Sequence, residues 1–179
     1  DARVADDYKE LQRIKADLNK QQLTPFLVHY LYARSFFPDI KMSGDVKKAS
    51  QYYSGQAKKF WLEYDLSLQA MIAMALSREG DALTPADILK SLRERAKTTE
   101  ELGMYWPANE AGFAWSQAPV EAQSILMEAF NEVAKDKAAV DEMKLWLLKN
   151  KQTNSWKTTK ATAEACYALL LTGSEWVTS

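Results

Sequence analysis

Trp115-Ser116-Gln117-Ala118-Pro119-Val120-Glu121-Ala122-Gln123-Ser124-Ile125-Leu126-Met127-Glu128-Ala129-Phe130 and Trp156-Lys157-Thr158-Thr159-Lys160-Ala161-Thr162-Ala163-Glu164-Ala165-Cys166-Tyr167-Ala168-Leu169-Leu170-Leu171 are two copies of one pattern. A tryptophan leads each, and an Ala-rich apolar helix follows in the same register (156 − 115 = 41). Self-similarity at a period of roughly 20–50 residues marks a repeat architecture.

The pattern extends toward the N-terminus. Trp61 precedes Trp115 at an offset of 115 − 61 = 54, which lays Ser67–Leu76 onto Glu121–Phe130 and places Gln69 on Gln123 and Ala75 on Ala129. A weaker copy, Thr24-Pro25-Phe26-Leu27-Val28-His29-Tyr30-Leu31-Tyr32-Ala33, has no leading Trp. Longer and more charged helical stretches separate the copies. The unit is therefore a helical hairpin with one apolar and one amphipathic member.

The expected fold is all-α, a single helical domain over 1–179 with essentially no sheet. Tyr8, Leu11, Ile14 and Leu18 give an amphipathic helix over Ala5–Asn19. Thr24 caps the next, with Pro25 in the first position, and it ends before Pro38. Further helices are expected over Gly44–Glu63, from Asp65 or Ser67 to Arg78, and after the cap-like Thr84-Pro85. Gly103–Trp115 is the longest irregular stretch. Helices resume over Pro119–Ala134, Ala138–Asn150 and Lys160–Leu171, the last capped by Thr158 or Thr159.

Composition narrows the function. The 179 residues suit one sizeable core, and 23 basic residues against 24 acidic leave a net charge of −1. That balance argues against a nucleic-acid or anionic-membrane surface, which needs a basic excess. No apolar run approaches the roughly 18 residues of a membrane span. Cys166, the single cysteine, reads as a buried small hydrophobe, and His29 as a satisfied core or edge histidine. No cluster has zinc-ligand spacing and no glycine loop suits a phosphate, so no metal, cofactor or catalytic residue is assigned. Glu121 and Glu164 lie in the first turns of apolar helices, where an anion is stabilising without any function. The aromatic stretch Tyr105, Trp106, Phe113 and Trp115 reads as packing across hairpin ends, with a ligand shelf as the alternative.

Hairpins with small-residue-rich inner helices resemble the α/α toroid shared by terpenoid cyclases, protein prenyltransferases and the thioester domains of complement and α2-macroglobulin proteins. Particular motifs resemble the last group. Val120-Glu121-Ala122 is similar to the start of that family's Val-Glu-Ala helix, and Trp146-Leu147-Leu148-Lys149-Asn150-Lys151-Gln152 to its Trp-Leu helix. Trp156 to Thr162 matches its aromatic-Gly-Ser-Thr-Gln-Ala/Asp-Thr segment at Thr159 and Thr162. The strong resemblance covers Trp115–Leu171, and the run from Trp146 to Leu171 is especially similar to large bacterial α2-macroglobulin-like proteins. The repeat-defining positions are Trp61, Trp115, Glu121, Trp146, Trp156, Thr159 and Thr162.

There are departures. Asn154-Ser155 replaces the family's Gly-Gly, Lys160 replaces its Gln, and the thioester Cys-x-Glu-Gln is absent, since Cys166 is followed by Tyr167-Ala168-Leu169. Either a thioester half lies upstream of Asp1, or this branch works without one. The resemblance implies an incomplete toroid from a larger parent, a non-enzymatic structural part of an endopeptidase inhibitor that traps proteases. Its partners would be other domains of the parent and, through it, target proteases, in the periplasm or at the cell surface. Two rivals are a toroid enzyme acting on isoprenoids or sugars and a helical-repeat interaction scaffold. The first would need an Asp-rich or zinc-triad motif; the second would show a steady 34-residue period.

Overall fold

The computed structural model describes residues 1–109, 118–151, 156 and 158–173. Helix of all kinds accounts for 72% of them, with eight α-helices beside short 3-10 and π turns and one two-stranded sheet, so the fold is all-α. The chain divides into two compact units, Asp1–Pro85 and Ala86–Ser179.

The first unit holds α1 (Ala2–Arg13), α2 (Pro25–Ser35), α3 (Gly44–Phe60), a 3-10 turn Trp61–Glu63 and α4 (Leu66–Arg78). α1 packs on α3, and α2 on both α3 and α4. The cap signals operate as their chemistry requires. Thr24 Oγ1 accepts from Leu27 N at 3.4 Å, and Asp65 Oδ1 from Leu68 N at 2.9 Å. α4 is buried at nearly every position from Leu68 to Leu76, which its Ala-rich, large-apolar composition requires.

α1 stops earlier than its apolar spacing suggests. Lys15 turns left-handed (φ 52°), and Ala16 N closes back on Leu11 O at 2.9 Å. The chain beyond is bonded to α3 instead. Leu18 O accepts from Tyr52 Oη at 3.1 Å and Gln56 Nε2 at 3.0 Å, and Gln22 N donates to Gln56 Oε1 at 2.9 Å. These tertiary bonds satisfy backbone groups that a longer helix would have paired internally.

α5 (Leu83–Arg95) begins at the end of the first unit. Its start is set by Asp81 rather than by Thr84. The Asp81 carboxylate accepts from Leu83 N at 2.9 Å, Thr84 N at 3.2 Å and the Thr84 hydroxyl at 2.9 Å.

In the second unit, β1 (Lys97–Thr99) and β2 (Gly103–Tyr105) form an antiparallel hairpin where no strand was expected. Three-residue strands carry too little alternation to be read. α6 (Pro119–Ala129) runs into a π-helical turn, Phe130–Ala134, which Lys135 ends in the left-handed conformation (φ 52°). α7 (Lys137–Lys149) is capped by Asp136, and α8 (Thr159–Thr172) by Thr158, whose hydroxyl accepts from Ala161 N at 3.0 Å. β2 lies on α7, and α6 packs against α7 and α8. The starts of α4, α6 and α8 keep the sequence offsets to within a residue (119 − 66 = 53; 159 − 119 = 40).

Candidate functional site

The residues of the C-terminal motif converge where α7 hands over to α8. Trp156 is 5% exposed, and its indole N–H donates to Leu147 O in the last turns of α7 at 3.0 Å. Its backbone N–H donates to Thr162 Oγ1 at 3.1 Å. The Thr162 hydroxyl proton goes to Thr158 O at 3.0 Å, with Trp156 O the longer alternative at 3.4 Å. Thr162 therefore ties the approach segment to the first turn of α8. Trp146 contributes its carbonyl, which accepts from Asn150 N at 3.0 Å and Asn150 Nδ2 at 2.9 Å and closes α7. Lys144 spans the other end of the helix pair. Its ammonium donates to Thr172 O at 3.1 Å, where a cation suits the C-terminal carbonyls of α8, and to Asp141 at 2.8 Å.

Thr159 is exposed at the first position of α8 and takes no part in this junction. Trp61 lies in the other unit, partly exposed at the end of α3. Trp115 and Phe113 lie outside the described residues. A tryptophan the repeat did not select plays the matching part. Trp106 is 2% exposed, donates its indole N–H to Leu92 O of α5 at 2.8 Å, and sits 5.9 Å from the Phe130 ring. Trp106 and Trp156 are thus alike: each fixes a post-helix segment to a carbonyl near the end of the preceding helix. Of the aromatic stretch, Trp106 is packed in this way, and Tyr105 is half-buried at the end of β2. The signal that could have found Trp106 is its following a charged helix, as Trp156 does.

Glu121 and Glu164 stand on the packed helices α6 and α8. Burial raises the Glu164 carboxyl above its ordinary range, Lys160 at 3.8 Å lowers it, and the negative charge of Glu121 adds to the rise. The Glu164 side chain is 40% exposed, so solvent screens the pair, and it forms a surface charge arrangement. Gln69 and Gln123, matched by the repeat, are both buried and both donate to a carbonyl: Tyr64 O at 2.6 Å and Met104 O at 2.8 Å.

Cys166 is exposed, which corrects the expectation of a buried thiol. α8 is apolar on almost every side, so its composition does not reveal which face is inward. The inward face is the small stripe Ala161, Ala165 and Ala168, at 3%, 0% and 1% exposed, which allows close approach to α6. Cys166 shares the outward side with Tyr167 (52% exposed), Leu170 (75%) and Leu171 (46%). His29 is exposed as well, with Nδ1 2.8 Å from Pro25 O. Among the described residues no group of three or more His, Cys, Asp or Glu could hold a metal ion, and no helix is long and apolar enough to cross a membrane.

No protein-family model matches the chain, and no curated protein matches it significantly.

Proposed function

We propose that this chain is a packing segment of the α/α toroid of a bacterial α2-macroglobulin-like endopeptidase inhibitor, acting in the periplasm or at the cell surface. Its role is structural and not catalytic. A protease cuts a bait region elsewhere in the parent, the parent rearranges, and the helical hairpins of this segment move as rigid pieces. The observation that carries the reading is the two-sided character of α8, inside the stretch with the strongest family resemblance. Its alanine stripe is closed against α6, while Tyr167, Leu170 and Leu171 present a large apolar surface to solvent. Exposed apolar surface of this kind suits contact with a neighbouring segment. The Trp156–Thr162 junction supports it by fixing α8 to α7.

The test uses the longest natural chain that contains this sequence. It is incubated with a trypsin-like or an elastase-like protease, and cleavage of a small chromogenic peptide and of a large protein substrate is followed. Entrapment leaves peptide cleavage intact, blocks protein cleavage, and makes protease and inhibitor co-elute. Full cleavage of the large substrate by every protease tried, with no co-elution, refutes the proposal.

A further inference from the structure

The N-terminal unit contains a solvent-open groove of about 750 Å³ between the end of α2, the following loop and α3. That volume lies within the range of small-molecule sites, about 300–1,000 Å³. We infer that this groove binds a small amphiphilic anion, one acidic head group on an apolar chain.

The walls are built by two arginines. The Arg34 guanidinium donates to the carbonyls of Phe37 and Ile40 and so holds the loop after α2 in place. Its Nε faces Asp1 at 3.5 Å, an ion pair without hydrogen-bond geometry. Arg78 lies over the Phe36 ring at 4.0 Å and donates to Ser35 Oγ at 3.0 Å. Held this way, the loop lines the groove with Phe37 and Ile40, which stay 54% and 56% exposed. An apolar chain lying against them would remove that surface from water.

The charge around the groove is one-sided. Five cations line it, Arg34, Lys41, Lys47, Lys58 and Arg78, against one carboxyl, Glu79. The arginines are occupied as described, and Lys58 pairs with Asp81 at 2.9 Å. Lys41 and Lys47 have no side-chain hydrogen-bond or ion-pair partner among the described residues. Glu79 is the one acidic group among them. Burial raises its carboxyl above the ordinary range, while the Ser54 hydroxyl, donating to it at 3.0 Å, and the Lys58 charge oppose that rise.

The floor gives an independent reason. Gly55 lies in the interior of α3, where glycine is the least favourable residue after proline. Its φ is not positive, and a Cβ built there meets nothing within 4 Å. Neither backbone nor packing calls for glycine at this position, and a side chain there would project into the groove.

The test is calorimetric titration with dodecanoate and dodecyl phosphate below their micellar thresholds, with dodecyltrimethylammonium as the charge-inverted control. Both anions should bind once per chain, and the cation at least tenfold more weakly. Each methylene removed from the carboxylate should weaken binding about threefold to fourfold, the value of a buried CH₂. Gly55→Leu should weaken dodecanoate at least tenfold while melting at or above the parent temperature. Lys41→Gln with Lys47→Gln, at exposed positions that leave the fold intact, should abolish the preference for anions. The inference is overturned if the cation binds as tightly as the anions, or if folded Gly55→Leu or the double variant binds dodecanoate like the parent. It is also overturned if dodecanoate does not bind while phosphatidylserine-containing vesicles sediment the parent and Gly55→Leu equally, since a membrane surface would then be the occupant.

Discussion

Trp156 donates its indole N–H to the backbone carbonyl of Leu147 at 3.0 Å, in a buried site where neither group reaches water. The bond joins the segment before α8 to the end of α7. Trp156→Phe would keep most of the ring packing but strand the Leu147 carbonyl, at a cost of about 1–3 kcal/mol. Trp156→Ala would add a cavity and cost about 3–5 kcal/mol. Trp61→Ala should cost less than Trp156→Ala, because Trp61 is partly exposed. Urea midpoints of the three variants give the order, and equal loss at Trp61 and Trp156 would contradict it.

Gly103 is required at the hairpin for two separate reasons. Its φ is +67°, a region that side chains with a Cβ disfavour. A Cβ there would also run into the Glu142 carbonyl of α7 and come within 3.1 Å of Leu145 Cβ. Gly103→Ala must therefore displace α7 from β2, and a loss of about 2–4 kcal/mol is expected from the combined strain and overpacking. Gly44→Ala is the control. It meets nothing within 4 Å, and its melting temperature should match or exceed that of the parent.

Two carboxyls at the end of α4 should have opposite pH signatures. Hydrogen bonding to Lys58, with further bonds from Thr84 and Leu83, lowers Asp81 from 3.8 to about 2. Its stabilisation is complete above the unfolded value and is lost as pH falls from 3.8 toward 2. Glu79 is raised above 4.5 by burial. Its folded state is favoured below 4.5, and that advantage is lost as pH rises through the raised value. Asp81→Asn should flatten the acid limb of a stability–pH curve. Glu79→Gln, which keeps an acceptor for Ser54, should raise stability at pH 7 and leave it unchanged at pH 4. A Glu79→Gln gain equal at both pH values would assign the effect to packing.

Helices buried on every side were the most legible. The Ala-and-large-apolar composition of α4 and α6 left them no polar face, and their register was fixed by Gln69 and Gln123 at matched, buried positions. Caps were legible where one side chain does the work, outright at Thr24 and as one of two candidates at Asp65 and Thr158. They were missed where two residues share it, because Thr84 looked like a cap while donating its proton to the true one, Asp81. The β hairpin was too short for alternation to register. Trp106 was hidden because the repeat was aligned on the apolar helices, whereas its role depends on the Leu92 carbonyl of the charged helix before it. The groove depends on a loop shaped by Arg34 through backbone carbonyls, which leaves no trace in residue spacing.

The thiol separates the two possible orientations of α8. On a helix whose inward face is Ala161, Ala165 and Ala168, position 166 lies about 100° from Ala165 and points outward beside Tyr167 and Leu170. An exposed thiol meets a reagent without any opening of the fold. Cys166 should therefore be modified in the native protein at the same rate as in the unfolded chain, to within about tenfold. Cys166→Ser removes no buried contact and should change stability by no more than about 0.5 kcal/mol, as surface substitutions do. Ala165→Ser and Ala165→Leu, one residue away, should behave differently. The first places a hydroxyl in a closed apolar contact, and the second forces α8 off α6, costing about 1–3 kcal/mol or more. Native protection of Cys166 that disappears on unfolding, together with a tolerated Ala165→Leu, would turn the helix around and place Cys166 in the core.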